Sequence, residues 1–242
     1  MPSSALGEFL GTAVLILLGN GVVAGVLLEE SKAKGAGWIV ITAGWAIAVL
    51  CGVLVATSLG APGELNPAVT VANVLLGSRP IPDAIAHIAA QFAGAIVGAT
   101  LVWLHYLKHW SVTKDRGAIL ACFSTGPAIR QSGPNLVSEA IGTGVLILVA
   151  NAIGSKLVAG ATPATNLGPA LVGALVWGIG LSLGGPTGYA INPARDLGPR
   201  IAHAILPIAN KGGSDWSYSW IPVVGPVIGA ACAALLWKSV SS

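Results

Sequence analysis

Two asparagines are each followed by proline and alanine: Asn66-Pro67-Ala68 and, 126 residues later, Asn192-Pro193-Ala194. Proline suits the first position of a helix, where its missing N–H is not needed and its φ is already set. Asparagine is among the best N-caps, because its side-chain oxygen accepts a backbone N–H of the first turn. Each tripeptide therefore marks a helix start. One copy would be an ordinary capped loop; two, each opening a short apolar segment, form a specific signal. Each asparagine is expected to keep its NH2 group free, facing a shared gap. Each helix start also brings about +0.5 elementary charge to that gap. Such a site holds a neutral molecule through its oxygen lone pairs and repels cations. A water held there donates outward in both directions, which breaks a proton wire. The chemistry is that of a passive pore for uncharged polar solutes that excludes protons and ions.

Few other polar groups lie at depth. Arg195 directly follows the second Asn-Pro-Ala. A charge there costs about 2.5–3.5 kcal/mol on insertion scales, so it needs a partner or a watery lining. The favoured reading is a guanidinium in the pore wall; the competing one is an ion pair with Asp196. Glu8 and Glu139 stand at equivalent repeat positions and are expected to anchor the loops before the two short helices by accepting N–H bonds, as against a proton-coupling role. Glu64, two residues before Asn66, is expected to be a solvated carboxylate of the inner vestibule; its functional alternative is to disfavour anions there. His87, His105, His109 and His203 form no triad or metal spacing with a carboxylate, so no catalytic residue, metal or cofactor is expected. Cys51, Cys122 and Cys232 match no metal spacing and read as packing residues.

The elements that must position these groups follow from composition. Of 242 residues 54% are hydrophobic and 9% charged, against roughly a quarter charged in soluble domains. A soluble enzyme is excluded, and a net charge of +3 without runs gives no sign of nucleic-acid binding. Crossing a bilayer takes about 20 apolar residues, and six windows qualify: 5–28, 37–59, 84–107, 136–155, 167–185 and 218–237. Met1-Pro2-Ser3-Ser4 lacks a basic region and runs straight into the first window, which reads as a span rather than a cleaved signal. Trp38, Trp103, Trp110, Trp216, Trp220 and Trp237 fall near window ends, as an aromatic belt would.

Segments 67–76 and 193–206 are apolar but too short to span. They could lie on the surface or re-enter as half-helices lining a cavity. An internal repeat decides for the second. The Gly7-Glu8 stretch matches Ser138-Glu139 at an offset of 131, and Gly94 and Gly98 match Gly225 and Gly229 at the same offset. Three spans per copy is an odd number, so the second copy enters from the opposite side and the half-helices meet near the midplane. The fold class is thus an all-α membrane protein of six transmembrane helices and two re-entrant half-helices in an inverted repeat. It forms one channel domain over 1–242, with halves of approximately 1–110 and 130–242. The two glycine pairs should permit close helix contact. Trp45 and Trp177, related by the repeat, read as helix-packing residues.

These features together resemble the aquaporin, or major intrinsic protein, family over nearly the whole chain, and Asp196 after Arg195 is similar to its glycerol-conducting, aquaglyceroporin branch. The resemblance implies a homotetramer in a cell membrane, of the bacterial type, with one pore per subunit. It also implies a selectivity filter of Arg195, Tyr189, Gly180 and a second-span residue at Ala43. With Ala43 in that place the filter would be wide, with one aromatic wall. It would pass glycerol, water, urea and dihydroxyacetone, and somewhat bulkier neutral solutes such as undissociated lactic acid.

The alternatives are a water-selective channel, against which Gly180 and Asp196 argue, and a channel mainly for lactic acid. A coupled transporter would show a carboxylate or cation site at the midplane. The family's cytoplasmic N-terminus would leave only Arg79, Lys156 and Lys238 inside, with Lys32, Lys34, Lys108, Lys114, Arg116, Arg130 and Lys211 outside. That distribution runs against the positive-inside rule.

Overall fold

The computed structural model describes residues 4–155 and 167–241. Met1, Pro2, Ser3 and Lys156 lie outside the described residues. The helices are α1 (Ser4–Leu27), α2 (Trp38–Ser58), α3 (Pro67–Leu75), α4 (Ile81–His105), α5 (His109–Val112), α6 (Arg116–Ala121), α7 (Ser132–Gly154), α8 (Leu167–Leu183), α9 (Pro193–Ile205) and α10 (Ile221–Val240). The six windows and two short segments predicted from hydropathy correspond to α1, α2, α4, α7, α8, α10 and to α3 and α9, with ends shifted by up to four residues. Five of them are long and apolar enough to cross a membrane, and α8, at 17 residues, is shorter. The short helices α5 and α6 leave no hydropathy signal; Asp115 caps α6 by accepting N–H bonds from Gly117 at 2.8 Å and Ala118 at 3.0 Å.

Within the first half α1 packs on α2 and α4, and within the second α7 packs on α10 and α8. The halves join through α2 against α8, and each half-helix crosses over: α3 lies on α10 and α9 on α4. Glycine permits the tightest crossings. A Cβ on Gly94 would strike the carbonyl of Phe9 on α1, and one on Gly229 would strike that of Ala140 on α7. These are the paired glycines of the repeat, and they bring helix backbones together where side-chain volume would hold them apart.

The half-helices end differently. Lys211 folds back on the carboxyl end of α9, donating to the carbonyls of His203 at 2.7 Å, Ala204 at 2.8 Å and Leu206 at 2.6 Å. An ammonium there satisfies orphan carbonyls and complements the helix dipole. Two other basic side chains assigned to loops on the same side are also engaged: Lys34 with Glu29 and the carbonyl of Leu27, and Arg130 with Asp215. Of the expected belt, Trp216 and Trp220 are exposed, but Trp110 is fully buried with its indole N–H on the carbonyl of Trp103. Trp110 is therefore a core residue.

Candidate functional site

The two half-helices meet start to start. Asn66 Oδ1 accepts the N–H of Ala68 at 2.9 Å. Asn192 Oδ1 accepts those of Ala194 at 3.0 Å and Arg195 at 3.1 Å. Pro67 and Pro193 occupy the first helical positions, and Ala68 and Ala194 are fully buried beside them. The asparagine amides are not free, contrary to expectation. Asn66 Nδ2 donates to the carbonyl of Ile191 and Asn192 Nδ2 to that of Leu65, both at 2.8 Å. An amide nitrogen carries two hydrogens, so each asparagine uses one to tie the halves together and retains one. Leu65 (φ 51°) and Ile191 (φ 44°) have left-handed backbones, an uncommon conformation for bulky residues that places their carbonyls within reach of the opposite amide.

A buried carboxylate holds each of these turns. Glu8 accepts the N–H groups of Glu64 at 2.9 Å and Leu65 at 2.7 Å, and the side chain of Gln91 at 2.8 Å. Glu139 accepts those of Ala190 at 3.0 Å and Ile191 at 2.8 Å. The loops cannot satisfy these N–H groups within a helix or sheet, and bonds to a carboxylate are roughly twice as strong as neutral ones.

Glu64 lines the cavity described below, but it is buried rather than solvated. Its carboxylate is buried and accepts hydrogen bonds from Thr70 Oγ1 at 2.7 Å, Asn73 Nδ2 at 2.7 Å and Arg79 Nε at 3.2 Å, with His87 Nδ1 at 3.5 Å. It fastens α3, the α3–α4 loop and α4 to one another, and Arg79 offsets the charge that an anion at the mouth would meet. The donors lie 6 to 23 residues away, so their convergence is tertiary.

Leu15, Val49, Val69, Leu146, Val172 and Val176 line a narrow, mostly apolar cavity of about 70 Å³ together with Leu65, Asn66, Ile191 and Asn192. A second cavity of about 240 Å³ opens toward Trp38, Ser124 and Thr125. Trp45, Tyr189 and Arg195 line both. The guanidinium carbon of Arg195 stands 3.9 Å from the centre of the Trp45 ring, a direct cation–π stack. Among the described residues Arg195 makes no ion pair with Asp196.

The α2 residue here is Trp45, not Ala43. Along α2 the cavity-lining residues Ile41, Trp45 and Val49 recur every four positions, and Ala43, two residues off that row, projects from another face. Trp45 packs against α1 at Gly19, as expected, and also lines both cavities, while its repeat mate Trp177 is 39% exposed on the outer face. Trp45 and Tyr189 give this junction two aromatic walls, whereas the expectation of a wide opening rested on one. Nor does Gly180 leave a gap. A Cβ there would lie 2.8 Å from Tyr189 Cζ and 2.9 Å from its hydroxyl oxygen. The glycine is the floor on which the Tyr189 ring rests, and Trp38 meets that ring edge-on at 5.8 Å while donating to the Gly180 carbonyl at 3.0 Å.

Asp196 pairs with Arg200, one helical turn on, at 2.8 Å, and both are fully buried. Asp196 also accepts the N–H and hydroxyl of Thr125, each at 2.7 Å, and Arg200 donates to the carbonyls of Thr125 at 2.9 Å and Ser214 at 2.8 Å. The pair ties two loops to α9 behind Arg195. Its i, i+4 spacing is readable in sequence; Thr125 is not.

Residues 2–237 match the profile of the family described as Major intrinsic protein. The chain is 57% identical over 235 residues to "Glycerol uptake facilitator protein 3" of Lactiplantibacillus plantarum, covering 96% of this chain and 95% of that one. It is 56% identical over 239 residues to the "Glycerol uptake facilitator protein" of Streptococcus pneumoniae, covering 98% and 99%. Among solved structures, the aquaglyceroporin from Plasmodium falciparum superposes with a TM-score of 0.85 at 29% identity, over 98% of this chain and 96% of that one. The six-helix bundle with its paired half-helices is therefore that of an integral membrane channel, and the chain belongs to the major intrinsic protein family.

Proposed function

We propose that the protein is a passive channel for glycerol, passing water and other small uncharged polar solutes and excluding protons and ions. The observation that carries this reading is the meeting of two asparagine-capped half-helices beside a cavity lined on one side by Leu15, Val49, Leu146 and Val176 and bounded by Arg195. A polyol presents a hydrocarbon edge and a hydroxyl edge. The apolar wall and the rings of Trp45 and Tyr189 suit the first. The guanidinium and the remaining amide hydrogens of Asn66 and Asn192 suit the second. Two helix starts, each carrying about +0.5 elementary charge, together with Arg195 disfavour any cation at the midpoint. A hydrogen-bonded water there accepts from the asparagines and donates away from them, which interrupts proton hopping. The full-length likeness to two proteins named glycerol uptake facilitators supports the choice of solute.

This reading includes the remaining features implied by the resemblance: one channel domain made of two inverted halves, a cytoplasmic N-terminus and four identical subunits with a pore in each. Liposomes carrying the purified protein test it by stopped-flow light scattering. Fast glycerol entry that does not saturate and does not respond to proton or sodium gradients is expected. Water flux alone would overturn glycerol as the solute, and dependence on an ion gradient would overturn the channel. Crosslinking in the membrane tests the tetramer.

A further inference from the structure

The carboxyl ends of α3, α7 and α10 converge on one face of the membrane. They frame a surface cavity of about 350 Å³ lined by Leu76, Ser78, Asn151, Trp237, Lys238 and Ser241. Its polar groups are of two kinds. Ser78 and Ser241 donate their hydroxyl hydrogens to the carbonyls of Asn73 at 3.1 Å and Trp237 at 2.7 Å, and Asn151 Nδ2 donates to that of Ile147 at 2.9 Å. The serine oxygens and Asn151 Oδ1 are thereby left as acceptors. The donors are the Lys238 ammonium and the Trp237 indole N–H. Among the described residues neither of these two groups makes a hydrogen bond or ion pair. Arg79, at the same end, is held by Glu64.

An apolar groove of about 330 Å³ continues the line of this cavity into the bilayer. It runs between α7 and α10, along Ile141, Gly144 and Leu148 on one side and Ile228, Cys232 and Leu236 on the other. Leu148 stands one helical turn before Asn151, and Leu236 is next to Trp237. From Asn151 back to Ile141 the helix rises about 15 Å, the half-thickness of a hydrocarbon core.

We propose that this groove and its polar end bind one phospholipid with a phosphoglycerol headgroup. The phosphodiester meets Lys238 and the Trp237 N–H, the headgroup hydroxyls donate to the serine and asparagine oxygens, and an acyl chain fills the groove. Each helix carboxyl end carries about half a negative charge, so an anion is held here only beside a cation, and hydroxyl hydrogens suit the helix ends. An ethanolamine headgroup would set a second ammonium beside Lys238. A choline headgroup has no hydrogen to donate to the three acceptors.

The test uses the purified full-length protein in phosphatidylcholine nanodiscs doped with phosphatidylglycerol that carries a diazirine on one acyl chain. Photolabelled peptides are read by mass spectrometry. Labelling is expected on residues 141–148 and 228–236. Lys238→Gln should lower it about fivefold, equivalent to about 1 kcal/mol for one interfacial lysine, and Trp237→Phe by less. Lys108→Gln, at the opposite face, should leave it unchanged. Diazirine phosphatidylcholine of the same chain length should label these segments several-fold less and be indifferent to Lys238→Gln. Labelling spread evenly over all outward helix faces, or indifferent to headgroup and to Lys238, would overturn the proposal. A groove protected from both lipids would assign it to a second copy of this chain and overturn the lipid. Loss of labelling on adding millimolar glycerol 3-phosphate would show that the headgroup binds without its chains, which overturns it also. None of these readouts depends on solute flux, so failure of the glycerol reading leaves them intact.

Discussion

The amide of Asn66 donates to the carbonyl of Ile191 at 2.8 Å, across 125 residues of chain and from one repeat half to the other. With its counterpart from Asn192 to Leu65 it makes the midpoint of the molecule a reciprocal pair of bonds rather than two independent helix tips. The asparagines are therefore structural and polar at once.

Replacing Asn66 with alanine removes the cap of α3 and leaves the Ile191 carbonyl without its donor. Loss of a cap costs about 1 kcal/mol, and an unsatisfied buried acceptor about 1–3 kcal/mol. Asn66→Ala is expected to lower the unfolding midpoint in detergent and to admit a proton leak, measured with a pH dye inside liposomes. Unchanged stability would contradict the bond's contribution.

Gly180→Ala places a methyl group against the Tyr189 ring, with no room at 2.8–2.9 Å. The ring has to shift off its floor toward the cavities it lines. Glycerol permeability should fall several-fold, with water affected less. Ala43→Ser, off the cavity-lining row of α2, should leave the glycerol-to-water ratio as in the unmodified protein. The two measured ratios together check the register of α2.

Removing an anchor carboxylate should be severe. Glu8→Ala strands the N–H groups of Glu64 and Leu65 in a buried turn, at about 1–3 kcal/mol for each. Size-exclusion profiles of detergent-solubilised protein should show little folded Glu8→Ala or Glu139→Ala. Glu8→Gln, which keeps one acceptor oxygen, should retain more.

Acid should loosen one loop first. Burial alone would raise the Asp215 carboxyl, but hydrogen bonds from Arg130 and Ser217 and the Arg130 charge hold it below its ordinary value of 3.8. A carboxyl lowered on folding adds stability that is fully present above the unfolded value and is lost as pH falls through the folded one. Thermal unfolding of the native protein and of Asp215→Asn should therefore differ at pH 6 and converge as pH is lowered below about 3.8. A gap that persists in acid would assign the contact another origin.

Hydropathy, length, the internal repeat and the two Asn-Pro-Ala copies were sufficient to place the six apolar helices and both half-helices. The reason is that hydropathy over about 20 residues and an N-cap followed by proline are local signals. The roles of Glu8 and Glu139 were legible because a charge at depth must find donors, and the repeat puts the needy turns at matching places. What the chain alone could not supply was rotation and partnership. Whether Ala43 or Trp45 faces the cavity depends on how α2 is turned against α8, which is set by packing between the halves. Whether Glu64 is solvated depends on Thr70, Asn73, Arg79 and His87 converging on it from α3, the following loop and α4. Whether Gly180 is empty space or a floor depends on where Tyr189 lays its ring. Sequence determined which groups are at membrane depth, because burying them has a cost that composition reveals. Tertiary structure decided which of them touch, because hydrogen bonds and ring contacts form only when distant segments arrive at the same few ångströms.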